Sequence, residues 1–358
     1  MMGIKGLFLG SAAALAAFSG ANAADAIVAA EPEPMEYVRV CDAFGTGYFY
    51  IPGTETCLKV GGRVRFDVKV GNAYAFKGDG LFTNLRSEIY TSSASDTEWG
   101  ALKTNMTARF EYNPRYDVST LDSNNTRTRL MVATIEFGGF TVGLQDSMFE
   151  TFTYYAGNVA NDDVIDYGPS EVAMIAYSYK ADNGFAAFLA LEDDGQIKSD
   201  GGSASDWPNV AGGIKYDDGT YLAALAAGYD ESAEEAVIKA RIGGKFGPLS
   251  VFLMGAWNTD GDIPNSYAPA SRYGTSSTPV GWGDWAVWGG GAYKFTDKLT
   301  GNLQVAYTDS KILAATANVQ WSPAAGFFIA PELGYTSWDN AIGDGDQWSG
   351  MVRFQRTF

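Results

Sequence analysis

Leu58-Lys-Val-Gly-Gly-Arg-Val-Arg-Phe-Asp-Val-Lys-Val70 is the stretch that decides the fold. Leu58, Val60, Val64, Phe66, Val68 and Val70 belong to one face, and Lys59, Arg63, Arg65, Asp67 and Lys69 to the other. A period of two is that of a β-strand whose faces meet different solvents. Strands of soluble sandwiches sustain such alternation over shorter runs. The length here suits the ~9–11 residues of a tilted transmembrane strand plus a little rim.

The pattern recurs along the chain. Leu102, Met106, Ala108, Phe110 and Tyr112 oppose Lys103, Asn105, Thr107, Arg109 and Glu111. Ile238, Ala240, Ile242 and Phe246 oppose Lys239, Arg241 and Lys245, and Leu303, Val305 and Tyr307 oppose Asn302, Gln304 and Thr308. At the C-terminus Val352, Phe354 and Phe358 share a face against Arg353, Gln355 and Thr357, with Arg356 interrupting the apolar side near the rim. Short turns at Gly138–Gly139, Asp182–Gly184, Asp217–Gly219, Gly247–Pro248 and Thr296–Asp297 alternate with longer polar stretches at 113–125, 150–170, 193–208, 260–281 and 339–346. Short turns on one rim and long loops on the other are the asymmetry of an outer-membrane barrel. The expected fold is all-β, a transmembrane antiparallel β-barrel of about 16 strands over 57–358, with one long loop folded into the lumen. Aromatics near the strand ends, among them Trp257, Trp282, Trp285, Trp321, Phe328 and Trp338, are expected to form interfacial girdles.

The N-terminus reads as an export signal: Lys5, an apolar Gly6–Phe18 stretch, then the small-x-small site Ala21-Asn22-Ala23. A cleaved signal peptide is expected over 1–23, with a linker and disulfide-closed segment over 24–56. The apolar run is too short to cross ~30 Å of hydrocarbon as a permanent helix. The net charge of −17 argues against a nucleic-acid partner. Mean hydropathy is only −0.10, so a membrane protein of this composition must alternate its apolar residues rather than concentrate them. Histidine is absent, which removes Ser–His and Cys–His nucleophiles and histidine metal sites. No cofactor is implied, and no enzymatic activity. Cys41 and Cys57, in a chain bound for an oxidising compartment, read as a structural disulfide worth roughly 3 kcal/mol.

Between Leu130 and Tyr179 there is no Lys or Arg, while Glu136, Asp146, Glu150, Asp162, Asp163, Asp166 and Glu171 all fall there. The centre of this span is the long connection after the fifth expected strand. The earlier strands carry Arg63, Arg65, Arg86, Arg109, Arg127 and Arg129, most at inward positions. An acidic loop bearing Glu150, Asp162, Asp163 and Asp166, folded against that arginine wall, would set a transverse field across a pore constriction. The other reading is a solvated external loop with ordinary lumen ion pairs.

The segment Glu31-Pro-Glu-Pro-Met-Glu-Tyr-Val-Arg-Val-Cys41-Asp-Ala-Phe-Gly-Thr-Gly-Tyr-Phe-Tyr-Ile-Pro-Gly-Thr-Glu-Thr-Cys57-Leu-Lys-Val-Gly-Gly-Arg63 resembles the opening of the alphaproteobacterial general porins, and Val352-Arg-Phe-Gln-Arg-Thr-Phe358 agrees. The resemblance implies a sixteen-stranded outer-membrane barrel assembled as a homotrimer, set in outer-membrane lipid and lipopolysaccharide, that passes small hydrophilic solutes. Its third long loop would enter the lumen at roughly 150–170. The alternative is a substrate-specific channel, for instance for a sugar, in which Tyr154, Tyr155 and Tyr167 form a stacking track.

Overall fold

The computed structural model describes residues 39–71, 80–113, 125–155, 157–162, 164–193, 207–261, 263–270, 280–341 and 343–358. The expected signal peptide, Asp163, and most of the 113–125 and 193–208 stretches lie outside these residues. A two-residue strand β1 (Phe49–Tyr50) precedes β2 (Cys57–Gly71), β3 (Leu81–Thr97), β4 (Gly100–Tyr112), β5 (Thr126–Phe137) and β6 (Phe140–Gln145). A single helical turn, α1 (Met148–Thr151), then leads to β7 (Val172–Lys180), β8 (Phe185–Glu192), β9 (Asn209–Asp217), β10 (Tyr221–Asp230), β11 (Glu235–Phe246) and β12 (Leu249–Asn258). The chain ends with β13 (Trp285–Thr296), β14 (Leu299–Thr308), β15 (Ile312–Ala324), β16 (Phe327–Asn340) and β17 (Gly343–Thr357).

Each strand from β2 to β17 pairs antiparallel with its sequence neighbour, and β17 returns to β2, giving the expected closed barrel of 16 strands. Closure leaves no open edge, the condition for a sheet to sit in lipid. At the seam Val352 faces Val68 and Arg353 faces Asp67. The Arg353 guanidinium holds the Asp67 carboxylate in a fork, at 2.8 and 3.0 Å. The last residue continues the seam, since Phe358 and Gly62 exchange backbone hydrogen bonds of 3.0 and 2.9 Å. Beyond it β1 pairs with the first residues of β2, and the Cys41–Cys57 disulfide, with Cα atoms 6.1 Å apart, fastens the preceding segment there.

Alternation runs as the sequence indicates. Val64, Phe66, Met106, Phe110, Ile238, Ile242 and Leu303 are exposed on the outer face, while Asp67, Lys69, Glu111, Lys239 and Gln304 are buried in the interior. Two expectations need correction. Residues 339–346 are not a long loop: Asn340 pairs with Gly343, and β16 and β17 continue as a hairpin. Their polar residues extend the two strands, and the Trp338 ring lies against Gly345, where a Cβ would meet it at 2.8 Å. Nor do all the aromatics form girdles. Trp282 is 1% exposed inside the barrel, and Trp338 packs against the interior cluster.

Candidate functional site

The connection from β6 to β7 turns into the lumen. Ser147 caps α1, its Oγ accepting from the Phe149 backbone N–H at 3.1 Å and donating to the Glu192 carboxylate at 2.7 Å. Glu192 also accepts from the Met148 N–H and the Tyr267 hydroxyl. The loop then crosses the barrel. Lys215 donates to the Phe152 carbonyl at 3.2 Å, Arg241 to the Tyr155 carbonyl, and Asn318 to the Asn158 carbonyl at 3.1 Å. At its far reach Glu332 accepts from the backbone N–H groups of Ala160 and Asn161. On the way back Trp288, Trp282 and Lys239 donate to the carbonyls of Ile165, Asp166 and Tyr167 at 3.2, 3.0 and 2.6 Å.

Apolar packing completes the anchorage. Phe149, Phe152, Val164 and Ile165 from the loop bury themselves against Phe188, Phe252, Met254 and Trp288, which point inward from β8, β12 and β13. The chain after β12 adds Tyr267, Ala268, Val280 and Trp282 to the same cluster. Gly228 lies beneath the Tyr267 ring, and a Cβ there would meet it at 2.5 Å. One side of the barrel therefore has a hydrophobic core inside it, and the open space is displaced toward the charged strands.

Among the described residues, two cavities stand out in that space. The larger, about 1360 Å³, opens at the long-loop end, and the other, about 710 Å³, at the short-turn end beside Asp217–Tyr221. Tyr155 and Asp162 line both, marking where the two adjoin. The larger cavity brings together Arg86, Arg109 and Arg129 with Glu150, Asp162 and Asp166. Arg63 and Arg65 do not line it. Arg63 pairs with Glu88, and Arg65 lies 3.5 Å from Asp67. Arg127 stands opposite Glu111 in the β4–β5 register. Of the four loop acids, Asp163 falls outside the described residues.

The wall arginines have carboxylate partners, a pairing the sequence reading did not draw. Arg109 meets Glu88 and Arg86 meets Glu111, each at 2.7 Å, and Arg129 pairs with Glu171. Glu88 and Glu111 occupy inward positions next to those arginines in the β3–β4 ladder, so the strand period that put Glu111 on the polar face could have found Glu88 as well.

Residues 25–353 match the Porin subfamily. The chain belongs to the alphaproteobacterial porin family. It is 44% identical over 379 aligned residues to porin Omp2b of Brucella neotomae, with the whole of both chains covered. Among solved structures, the anion-selective porin from Comamonas acidovorans aligns with a TM-score of 0.57 at 16% identity, covering 85% of this chain and all of that one. OmpT of Vibrio cholerae, in a trimer form, aligns at 0.54 with 10% identity, over 85% of this chain and all of that one. These two likenesses concern the fold. With such relatives the protein is a general outer-membrane porin, a channel for passive diffusion.

Among the described residues the three tyrosines make no continuous track: Tyr154 and Tyr155 are exposed at the short-turn cavity, but Tyr167 is not. Tyr167 is 3% exposed and has its hydroxyl engaged with Gln304 and the Asp162 carbonyl, so it presents no free ring face to a solute. The acidic side of the porin lumen is unusual in one carboxyl. Glu150 is 6% exposed and its Oε2 has no hydrogen-bond partner. Burial pushes its pKa well above the ordinary carboxylate value, Lys239 opposes the rise, and Asp146, Asp166 and Asp162 add to it. Burial likewise pushes the Tyr155 hydroxyl up, helped by Glu150 and Asp146.

Proposed function

We propose that this porin's permeation path narrows where Asp162 and Tyr155 of the inward loop face the arginine-bearing wall, and that ions and small hydrophilic solutes are sorted there by charge and size. The observation that carries this reading is that these two residues line both cavities. Arg86, Arg109 and Arg129 form the wall side, and Asp162 and Asp166 the loop side, with Glu150 set behind them. The ion pairs on the wall hold the arginine heads in place, so the opening keeps a fixed shape. Permeation needs no covalent step.

Planar-bilayer conductance with neutral polymers of graded size tests it. Asp162→Trp should lower both conductance and exclusion limit, whereas Ser232→Trp in the wide outer cavity should leave them near the parent values. Equal effects from the two would place the narrowest point elsewhere.

Two further properties belong to the same reading. Residues 1–23 act as a cleaved export signal, which N-terminal sequencing of the membrane-inserted protein checks by finding Ala24 first. The barrel works as a homotrimer in contact with outer-membrane lipid and lipopolysaccharide. Support comes from the trimeric neighbour and from outer-face residues such as Ile175, Ile242 and Leu333, which are 54–65% exposed in the single chain. A large species on semi-native gels that collapses to monomer on boiling is the expected sign.

A further inference from the structure

The segment after β12 folds into the long-loop mouth of the barrel. Asn258, the last residue of β12, donates to the Gly261 and Ile263 carbonyls at 3.1 and 3.2 Å and accepts from the Asn265 amide at 2.8 Å. Asp230, the last residue of β10, accepts the Ser266 backbone N–H at 2.7 Å. So pinned, the segment lays Pro264, Asn265 and Ser266 along the larger cavity and places Tyr267, fully buried, in the internal core.

Tyr267 meets the neck of the inward loop, where the two ends of that loop come together. There the Ser147 N–H donates to the Pro169 carbonyl at 3.1 Å, and the Glu171 N–H to Asp146 at 3.2 Å. The Tyr267 hydroxyl donates at 3.0 Å to Glu192, the carboxylate that also holds Ser147 and Met148. Its ring meets Phe149 edge-on, with centroids 5.1 Å apart. Phe149 in turn covers Gly168, where a Cβ would lie 2.9 Å from the Phe149 ring. On the β10 wall the Tyr267 ring rests on the bare backbone of Gly228, where a Cβ would intrude to 2.5 Å.

We infer that Tyr267 is a positioning residue for the constriction: through it, the β12–β13 connection fixes the neck of the inward loop and so how far Asp162 and Tyr155 reach into the path. Glu332 holds the far tip of the same loop, and Glu192 with Tyr267 holds its neck. One side of the loop is packed on the internal core, and the other faces open cavity. A neck that loses its hold therefore moves toward the open side, and the path narrows. The inference rests on the narrowing proposed above and assigns part of its control to a second loop.

The test uses the full folded protein, one channel at a time in a planar bilayer, with neutral polymers for the exclusion limit. Tyr267→Phe keeps the ring and removes one hydrogen bond to a charged acceptor, which favours the released neck by roughly tenfold or more. Brief excursions to lower conductance should become that much more frequent, while the exclusion limit of the main state stays parental. Gly228→Ala should displace the ring and lower the main conductance, yet do nothing in a Tyr267→Ala background, where the ring it acts through is gone. A role confined to barrel stability predicts neither result, only earlier unfolding on heated semi-native gels. Parental recordings from both Tyr267→Phe and Gly228→Ala, or a Gly228→Ala effect of equal size in the two backgrounds, overturn the inference. Asp162→Trp, run alongside, separates the two claims. If it lowers conductance while those two variants stay silent, the narrowing stands and Tyr267 does not control it. If it is silent too, the narrowing fails and the inference with it.

Discussion

Glu332 on β16 accepts a 2.8 Å hydrogen bond from the backbone N–H of Asn161, a residue 171 positions earlier in the chain. The same carboxylate receives the Ala160 N–H and the Asn318 side-chain amide, so a buried acid on the far wall clasps the tip of the inward loop. Two backbone N–H groups inside a barrel need an acceptor, and this acid supplies it.

Glu332→Ala should therefore free the loop tip without opening the barrel. The loss of bonds to a charged group costs roughly 1.5–3 kcal/mol locally, while the strand ladder is untouched. Single-channel recordings should show added flicker and a changed mean conductance, with heat stability of the barrel close to that of the parent. A quiet channel of parental conductance would refute the clasp.

Asp162→Asn with Asp166→Asn removes negative charge from the loop side of the path, and the reversal potential in a salt gradient should move toward anions. Arg109→Gln leaves Glu88 with less compensation, so its shift should run toward cations. Both shifts should be larger at 0.1 M than at 1 M salt. Arg65→Gln should matter less, because Arg65 sits beside Asp67 in the wall and does not line either cavity.

Glu150 supplies a pH dependence with a definite sign. Its folded pKa lies above the ordinary 4.5, chiefly because burial disfavours the carboxylate. The stabilising contribution of its proton is full below 4.5 and is lost as pH rises through the raised value. Over that window, above 4.5, the lumen also gains a negative charge. Reversal potential measured against pH should show a step toward cation preference there, and Glu150→Gln should lack the step. The groups facing it are Lys239 on the wall and Asp146, Asp162 and Asp166 on the loop, and a step that survives in the variant would not belong to Glu150.

Replacing Cys41 and Cys57 with serine should lower resistance to denaturation by about 3 kcal/mol, from the chain entropy of a loop of this length, and leave conductance unchanged. The bond closes a segment beside the seam, away from both cavities. Thiol labelling of the unreduced parent should find no free cysteine.

How far the sequence disclosed this structure depends on which solvent each face meets. β2 was legible because Val64, Phe66 and Val68 face lipid while Arg63, Arg65 and Asp67 face the lumen. β12 and β13 were harder, since Phe252, Met254 and Trp288 point inward onto the loop and both faces are apolar. Trp282 was expected at the membrane surface for the same reason: an aromatic at a strand end has no sequence mark that distinguishes lipid from an internal core. The arginine side was visible in the strand period and the acidic span in its missing cations. Glu88 escaped notice because Ser87, Thr91, Ser92 and Ser93 blur the alternation of β3. The cross-lumen bonds of Lys239, Trp288 and Glu332 join residues too far apart in sequence for any local pattern to reveal.

The hydrophobic core inside the barrel also bears on how the chain survives before it reaches the membrane. A strand with one greasy face can shelter it by pairing and stacking, but Leu249–Asn258 and Trp285–Thr296 have apolar side chains on both. Until the loop arrives to cover Phe252, Met254 and Trp288, these two neighbours form a ribbon that is sticky on either side, the kind of segment that aggregates in water. Seating of the loop is what covers that ribbon on its inner side.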